Sequence, residues 1–198
     1  MENIQSVKLI SSSDLNLVDK AIGTCYDKGE YKDTEAKMDR IQRVCNSFRH
    51  ASMLRFVTYT FDVVLSTSAL LEWTRHQVGV DYAVRSTRYV LKKNIDSLSY
   101  IPSRDENVNS LLNQIFNMVK KFIEENPKLK NDDLKLLLPQ AYSYRMTVQF
   151  NGQSLQHFLE LRSSKKAHFH IRELAVKLYE ALPEEHKQIY KDSVTLEA

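Results

Sequence analysis

The stretch VTYTFDV at positions 57–63 decides the fold class of this chain. Its apolar side chains occupy every second position, which is the period of a β-strand that buries one face. The stretch YRMTVQF at positions 144–150 alternates in the same way and runs into Asn151-Gly152, a turn signal. Two such strands predict a sheet that covers a hydrophobic core on one side.

Stretches with helical periodicity outnumber the strands in the rest of the chain. Apolar residues at helical spacing predict helices over residues 14–25, 35–48, 66–75, 108–123, 134–138, 154–162 and 167–182. A short opening strand is predicted at Val7–Ile10. Gln77–Ala83 contains a glycine, shows no period and is predicted to be a loop. The sequence therefore predicts an α/β (α+β) fold, in which helices flank a central antiparallel or mixed sheet.

Length and composition narrow the class of protein. The 198 residues suffice for a full core, and four glycines and four prolines leave little room for a flexible linker. We therefore expect a single domain over residues 1–198. The 28 basic and 25 acidic residues give a net charge of +3, too balanced to indicate a nucleic-acid surface. No stretch approaches the roughly 20 apolar residues of a membrane span, so no membrane partner is expected.

The N-terminus and the cysteines predict where the protein works. Met1–Gln5 is not a basic segment followed by an apolar run, so no secretory signal is predicted. Cys25 and Cys45, the two cysteines, show neither CxxC spacing nor a metal pattern. A reduced, cytoplasmic protein is the simplest expectation.

Two polar clusters carry the functional signal. The first joins RHQ at positions 75–77 to STRY at positions 86–89, and the second spans residues 151–164. Arg162, in the second cluster, shares a predicted helix face with apolar Leu155, Phe158 and Leu159. A guanidinium among apolar neighbours is costly unless an anion or a polarisable acceptor meets it. Both a ligand-binding role and a structural pair with a carboxylate are open for Arg162.

Several kinds of chemistry lack the residues they need. His168 and His170 have no third ligand at metal-binding spacing, so no metal site is predicted. Ser86 and His76 lack the glycines of a nucleophile elbow, and no glycine-rich phosphate loop occurs. What remains is a set of separated groups suited to anions, which indicates a nucleotide or dinucleotide ligand. They are Arg75, Ser86, Arg88, Lys135 and Arg162.

The first cluster resembles the RHR-x7-S signature of the flavin-dependent thymidylate synthases. Arg75-His76-Gln77 stands at the RHR triplet, and Ser86 stands at the serine. Further segments fit the family in register from about residue 18 to residue 190, with most similarity to its short bacterial members. They are FRHAS at 48–52, YTF at 59–61, Leu138-Pro139, NGQSLQHFLELRSSK at 151–165 and ALPEEHK at 181–187. The resemblance implies the thymidylate synthase-complementing fold.

The same resemblance implies a function in nucleotide biosynthesis. Members of the family are flavoprotein methyltransferases that carry out the reductive methylation of dUMP to dTMP. FAD would be reduced by NADPH, methylenetetrahydrofolate would supply the carbon, and no cysteine would attack the uracil ring. The family is homotetrameric and builds its active sites at subunit interfaces. The implied partners are therefore dUMP, folate and further copies of the chain.

Roles for particular side chains also follow from the resemblance. Arg162 would be the catalytic group, because it would hold the uracil edge and stabilise charge that develops on the ring. Lys135 would reach the phosphate of dUMP from a neighbouring subunit. The residues implied for dUMP are Glu72, Arg75, Ser86, Thr87, Arg88, Lys135 and Arg162. The residues implied for FAD are His50, Ser52, Arg75, His76, Gln77, Asn151, Gln153 and His157.

The chain departs from the family's pattern mainly on the flavin and folate side. Gln77 replaces the second arginine of the triplet, and eight residues instead of seven separate it from Ser86. Gln153 replaces the usual arginine of an Asn-x-Arg-Ser run, and Arg55-Phe56 stands where relatives commonly carry Glu-His. Glutamine keeps hydrogen bonding but loses a charge, which predicts a weaker attraction for a flavin pyrophosphate or a folate tail.

Two alternative functions fit the same residues. A diverged relative could modify C5 of a pyrimidine nucleotide in another way, such as hydroxymethylation, because every nucleotide-side residue would be shared. A non-catalytic nucleotide-binding homologue is the second alternative. The products formed from dUMP distinguish all three hypotheses.

Overall fold

A four-stranded antiparallel sheet organises the computed structural model, which describes residues 4–196. Its strand order is β1-β2-β4-β3. The strands are β1 (Ser6–Ser12), β2 (Thr58–Ser66), β3 (Val80–Val84) and β4 (Ser143–Asn151). The predicted α/β class with a helix-flanked sheet is confirmed, and every strand pair in this part of the chain is antiparallel.

The two stretches that alternate in sequence form the central pair of the sheet. β2 and β4 pair from Thr58 with Asn151 to Ser66 with Ser143. In β2 every second side chain, including Tyr59 and Phe61, is fully buried. One face of each strand therefore packs on the core, as the two-residue period of the apolar side chains predicts.

Helices cover the rest of the described chain. They are α1 (Asn16–Cys25), α2 (Thr34–Ile41), α3 (Thr67–Trp73), α4 (Thr87–Val90), α5 (Glu106–Glu125), α6 (Asn131–Leu134), α7 (Gly152–Arg162), α8 (Phe169–Glu180) and α9 (Glu184–Tyr190). Ser66 caps α3, because its side chain accepts the Ala69 amide. α2 continues as a π-helix over Gln42–Ser47, and 3-10 turns follow at Ala51–Phe56. No helix within residues 4–196 is long and apolar enough to cross a lipid bilayer.

Two predictions about local structure are corrected. Gln77–Ala83 is not a loop throughout, because β3 pairs with β4 from Val80 opposite Phe150 to Val84 opposite Met146. β3 lies at the edge of the sheet, and only Val80 is buried. Val80, Tyr82 and Val84 do alternate with Asp81 and Ala83, but the run is short and follows Gly79, which favoured a loop. The helix α9, which begins after Pro183, was absent from the prediction because it is only seven residues long.

Two hydrophobic clusters hold these elements together. The larger lies under β2 and β4 and is closed by α1, α7 and α8. The smaller joins α5 and α6 to the segment before β4. α7 packs against the 3-10 turns at Ala51–Phe56, and the space beside this contact is the cleft described below.

Candidate functional site

A cleft of about 1130 Å3 opens beside the first turns of α7. Its walls are the π-helical continuation of α2, the 3-10 turns at Ala51–Phe56, residues 75–80, α7 itself and the 3-10 turn at Lys191–Ser193. Six residues assigned from the sequence line it, although they come from segments about eighty positions apart. They are Arg75, His76, Gln77, Gln153, His157 and Arg162.

The turn before β3 is fastened to the start of α7. Asn151 caps this helix by accepting the Ser154 amide at 2.9 Å, and the Ser154 hydroxyl donates to the carbonyl of Val78 at 2.7 Å. Gly79 adopts a φ of +65°, and a Cβ there would lie 2.0 Å from the Asn151 side-chain amide. Only glycine therefore fits this turn, which fixes the RHQ segment against α7.

Aromatic packing sets the distance between α3 and α7. The ring of Trp73, on α3, lies 4.6 Å from that of Phe158 on α7 and 5.8 Å from that of Phe150 on β4. All three rings are buried. Such packing is rigid, so the polar side chains through which α3 and α7 contact each other are held in fixed positions.

Arg162 is the centre of a polar cluster between these two helices. Its Nε–H donates to Nε2 of His76 at 2.8 Å, and its Nη1–H donates to a carboxylate oxygen of Glu72 at 2.6 Å. A third bond joins Nη2 to the backbone carbonyl of Glu72 at 3.1 Å. The side chains of Arg162 and Glu72 are 15% and 23% exposed, so water screens this ion pair only partly.

His76 is neutral in this cluster. Burial, followed by the nearby charge of Arg162, lowers the pKa of His76 from 6.5 to about 4. Because Nε2 accepts the hydrogen bond from Arg162, the ring proton lies on Nδ1. The ring also packs against Phe158 at 4.9 Å and lies 5.9 Å from that of His157. His76 therefore orients the guanidinium without adding a charge.

The guanidinium of Arg162 keeps donors for a ligand. Three of its five N–H groups are engaged by His76 and Glu72, which leaves two. The structural ion pair and the ligand-binding role, both open from the sequence, are thus compatible in one geometry.

A second arginine contacts one of the substituted positions. The Nε–H of Arg55 donates to Oε1 of Gln153 at 2.5 Å, which joins the 3-10 turns to α7 at the edge of the cleft. Arg49 and Arg75 also line the cleft, and neither forms an ion pair with any residue in 4–196. The lining therefore carries four arginines against two carboxylates, Glu160 and Asp192, although glutamines stand at positions 77 and 153.

Three of the residues assigned to FAD lie outside the lining of the cleft. His50 is exposed, and its Nδ1 lies 3.0 Å from the hydroxyl of Tyr26. Ser52 is exposed on the 3-10 turns, and Asn151 serves as the cap of α7. All three nevertheless belong to segments that form the cleft walls.

The residues assigned to the phosphate of dUMP lie in another part of the chain. Ser86 and Thr87 begin α4, and none of Ser86, Thr87, Arg88 and Lys135 lines the cleft. Asp132 accepts from Arg88 Nε at 2.8 Å and lies 3.7 Å from Lys135 Nζ. Within one chain, the described residues therefore form two separate polar groups.

Several residues of the cleft wall were not assigned from the sequence, and Arg49, Arg55 and Cys45 are the most informative of them. Arg49 adopts a φ of +57°, which is uncommon and costly for a residue other than glycine. It lies in the FRHAS segment, and that resemblance was the only available signal. Arg55 was noted as a departure without a role. No group of three or more His, Cys, Asp or Glu side chains suited to a metal ion occurs among residues 4–196.

Cys45 also lines the cleft, and its thiol is unreactive. Burial raises the pKa of its thiol to about 12, so the group stays protonated at neutral pH. A thiol is a much weaker nucleophile than a thiolate. A cysteine in the cleft wall is therefore compatible with chemistry that needs no cysteine attack.

A sequence profile and curated relatives of this chain identify the same family. The sequence profile described as "Thymidylate synthase complementing protein" matches residues 8–186. A flavin-dependent thymidylate synthase of Helicobacter pylori (strain ATCC 700392 / 26695) is 34% identical over 195 residues, which cover 90% of this chain and 93% of that protein. One from Campylobacter jejuni (strain RM1221) is 34% identical over 198 residues, covering 93% and 95%.

Solved structures agree with the sequence comparisons. The crystal structure of thymidylate synthase X from Helicobacter pylori with FAD and dUMP superimposes with a TM-score of 0.88 at 30% identity, covering 97% of this chain and 100% of that one. A UMP/dUMP methylase from Streptomyces cacaoi, bound with 5-Br dUMP, has a TM-score of 0.79 at 17% identity. The latter likeness concerns the fold alone.

Proposed function

This chain belongs to the thymidylate synthase complementing protein family, and we propose that it is a flavin-dependent thymidylate synthase that methylates dUMP to dTMP. The observation that carries the proposal is the Glu72–Arg162–His76 cluster in the wall of the cleft. It presents a preorganised guanidinium, with two N–H groups to spare, where a planar heterocycle can accept them.

The proposed reaction balances with a folate and a nicotinamide cofactor. The methylene group of methylenetetrahydrofolate passes to C5 of dUMP, which loses its proton. One hydride, which comes from NADPH, and one proton complete the methyl group and the released tetrahydrofolate. FAD, when bound, supplies the redox chemistry that passes the hydride from NADPH to the transferred carbon.

Arg162 supplies the electrostatic part of this chemistry. As C5 becomes nucleophilic, negative charge develops on the uracil ring and its oxygens. A guanidinium that Glu72 and His76 already hold in place needs little reorganisation when this charge appears. The lowered pKa of His76 keeps its Nε2 an acceptor at neutral pH, so the orientation of Arg162 is maintained.

The residues of the cleft fit FAD. Arg49, Arg55 and Arg75 offer guanidinium groups to an anionic dinucleotide, and amide side chains at positions 77 and 153 offer neutral hydrogen bonds. Of the residues assigned to FAD from the sequence, Arg75, His76, Gln77, Gln153 and His157 would contact it directly. His50, Ser52 and Asn151 would support the walls.

The phosphate site of dUMP would be completed between subunits. Ser86, Thr87, Arg88 and Lys135 lie outside the cleft, so a nucleotide whose ring meets Arg162 needs them from another copy of the chain. The helix α5 supports such assembly because an apolar stripe on it is exposed, and contiguous exposed apolar surface is typical of interfaces. Its members are Leu111, Met118 and Phe122, which are 56%, 68% and 42% exposed. A homotetramer is the proposed assembly.

We further infer that residues 1–198 act as one domain. Tyr144 packs against both hydrophobic clusters, so the two are continuous through β4. A cytoplasmic location remains a prediction, which cell fractionation can test.

Product analysis tests the proposed function. The purified protein would be incubated with dUMP, FAD, NADPH and methylenetetrahydrofolate, and the nucleotide would be identified by mass spectrometry. We expect dTMP, formed in proportion to the NADPH consumed, with Arg162→Ala as the inactive control. A hydroxymethylated nucleotide would support the alternative modification instead, and unchanged dUMP at high enzyme concentration would contradict an active synthase.

A further inference from the structure

The lining of the cleft carries more arginines than carboxylates, because four arginines face only Glu160 and Asp192. Arg162 is engaged by Glu72. Arg49, Arg55 and Arg75 have no carboxylate within ion-pair distance among residues 4–196. Three guanidinium groups in one concave site repel one another, and an anion with more than one charge relieves that repulsion.

Arg55 is the best oriented of the three. Its Nε–H is held by Oε1 of Gln153 at 2.5 Å, and that oxygen belongs to a half-buried side chain in the first turn of α7. No described residue accepts from its two Nη groups. The guanidinium is therefore anchored at one edge and leaves its forked edge for a ligand, which is the geometry of bidentate phosphate recognition.

The hydrogen-bond partner of Arg55 is an uncharged amide, so it leaves the positive charge of Arg55 unneutralised. A carboxylate at position 153 would neutralise Arg55, and an arginine there would repel it. Gln153 stands where the family usually carries arginine, and Arg55 stands where it commonly carries glutamate. The two departures form one contact in the folded chain, so the charge missing from α7 is present on the facing 3-10 turns.

We propose that Arg55, oriented by Gln153, binds the pyrophosphate of the flavin dinucleotide and replaces the arginine missing from position 153. The inference rests on the proposed function and names the residue that gives this chain its affinity for FAD. Arg49 lies in the same cleft, where its left-handed backbone, with a φ of +57°, turns the chain into the segment that carries Arg55. The expected weakness of FAD binding, inferred from the two glutamines alone, is thereby offset.

Comparing the affinities for FAD and riboflavin distinguishes contacts to the pyrophosphate from contacts to the flavin ring. Each ligand would be titrated into apo-protein, followed by flavin fluorescence, for wild type, Arg55→Ala, Gln153→Glu and the control Arg43→Ala. Arg43 is an exposed arginine outside the cleft lining, so the control removes one charge elsewhere. We expect Arg55→Ala to weaken FAD on the order of tenfold, since a charge-assisted hydrogen bond is lost. Riboflavin, which has no phosphate, should change by less than about twofold.

Gln153→Glu provides an independent test that conserves shape. The new carboxylate would pair with Arg55, so FAD should bind several-fold more weakly and riboflavin should again be unaffected. Arg55→Lys should recover part of the loss, because an ammonium keeps the charge without the fork. Circular dichroism and light scattering would establish that each variant keeps the fold and the assembly of wild type.

The outcomes distinguish this inference from the proposed function. If Arg55→Ala binds FAD within about twofold of wild type, Arg55 does not bind the pyrophosphate. If Arg55→Ala lost the same factor of affinity for FAD and for riboflavin, the assignment would also be wrong, because Arg55 would then contact the flavin ring. If wild type itself fails to bind FAD, the proposed function falls together with the inference.

Discussion

Two polar clusters of the folded chain contain the same kinds of residue and differ in burial. One joins Arg162 to Glu72 and His76, and the other joins Arg88 and Lys135 to Asp132. Arg162 and its partner Glu72 are 15% and 23% exposed, whereas Arg88 and its partner Asp132 are 61% and 47% exposed. The first pair is fixed by packed helices and three hydrogen bonds. The second lies in water, where an ion pair gains little. A ligand can therefore displace Asp132 far more easily than Glu72.

This difference assigns different tasks to the two clusters. A guanidinium held in low dielectric is suited to charge that appears only during the reaction. Cations in water are suited to a permanent anion such as a phosphate, which recruits them on binding. The comparison predicts that changes at Arg162 affect turnover and that changes at Arg88 affect affinity.

The largest effect is expected at Arg162. We expect Arg162→Ala to lower kcat by about a hundredfold or more, because stabilisation of the developing charge is lost. Steady-state kinetics with dUMP as the varied substrate measures the change, and circular dichroism verifies the fold. Arg162→Lys serves as the control and should remain well below wild type, because an ammonium lacks the planar fork. Near-normal turnover of Arg162→Ala would remove the distinction between the clusters.

The second prediction concerns where the clusters meet. Arg162→Ala and Lys135→Ala subunits, assayed at dUMP concentrations below KM where each is impaired, should gain activity when they are unfolded, mixed and refolded together. By independent assortment, about a quarter of the sites would combine an intact Arg162 with an intact Lys135. Activity measured against each variant refolded alone provides the control. No recovery in mixed assemblies, shown by mass spectrometry to have formed, would mean that both residues serve one site from the same chain.

A smaller effect is expected at Arg88. Arg88→Ala should raise KM for dUMP on the order of tenfold and leave kcat nearly unchanged, because it removes a phosphate contact made equally in the ground and transition states. Deoxyuridine, which has no phosphate, is the control ligand. Its binding should not depend on Arg88. A fall in kcat without a change in KM would place Arg88 in the chemical step instead.

The sequence predicted the sheet and the Arg162 cluster better than it predicted the cleft. The alternation in β2 and β4 and the helix face that carries Arg162 both follow from period alone, so these were recovered. β3 was missed because its alternating run is only five residues long and follows Gly79, so the pairing with β4 was needed to identify the strand. The contact between Arg55 and Gln153 joins positions 98 apart, and nothing in the local sequence encodes that distance.

His76 provides a prediction about pH. Its pKa is lowered to about 4, first by burial and then by Arg162, so the ring stays neutral between pH 5 and pH 8. Below about pH 6.5 the unfolded chain takes up a proton at this position and the folded chain does not, so His76 makes the protein less stable as the pH falls towards 4. NMR titration of the histidine ring measures the pKa. A value near 6.5 would mean that Arg162 loses its acceptor in mild acid.

The smallest effect is expected at Asp132, and a matched substitution at Glu72 makes it informative. Asp132→Asn keeps the shape but removes the charge that competes with phosphate for Arg88 and Lys135. The nearby Arg88 lowers the pKa of Asp132, so this competition persists at every pH at which dUMP is doubly charged. Because exposed ion pairs are weak, KM for dUMP should fall by at most about threefold and kcat should stay unchanged.

Glu72→Gln removes the same charge from the half-buried pair, and kcat should fall because Arg162 loses its anchor. If both substitutions changed KM alone, burial would not be what separates the two clusters.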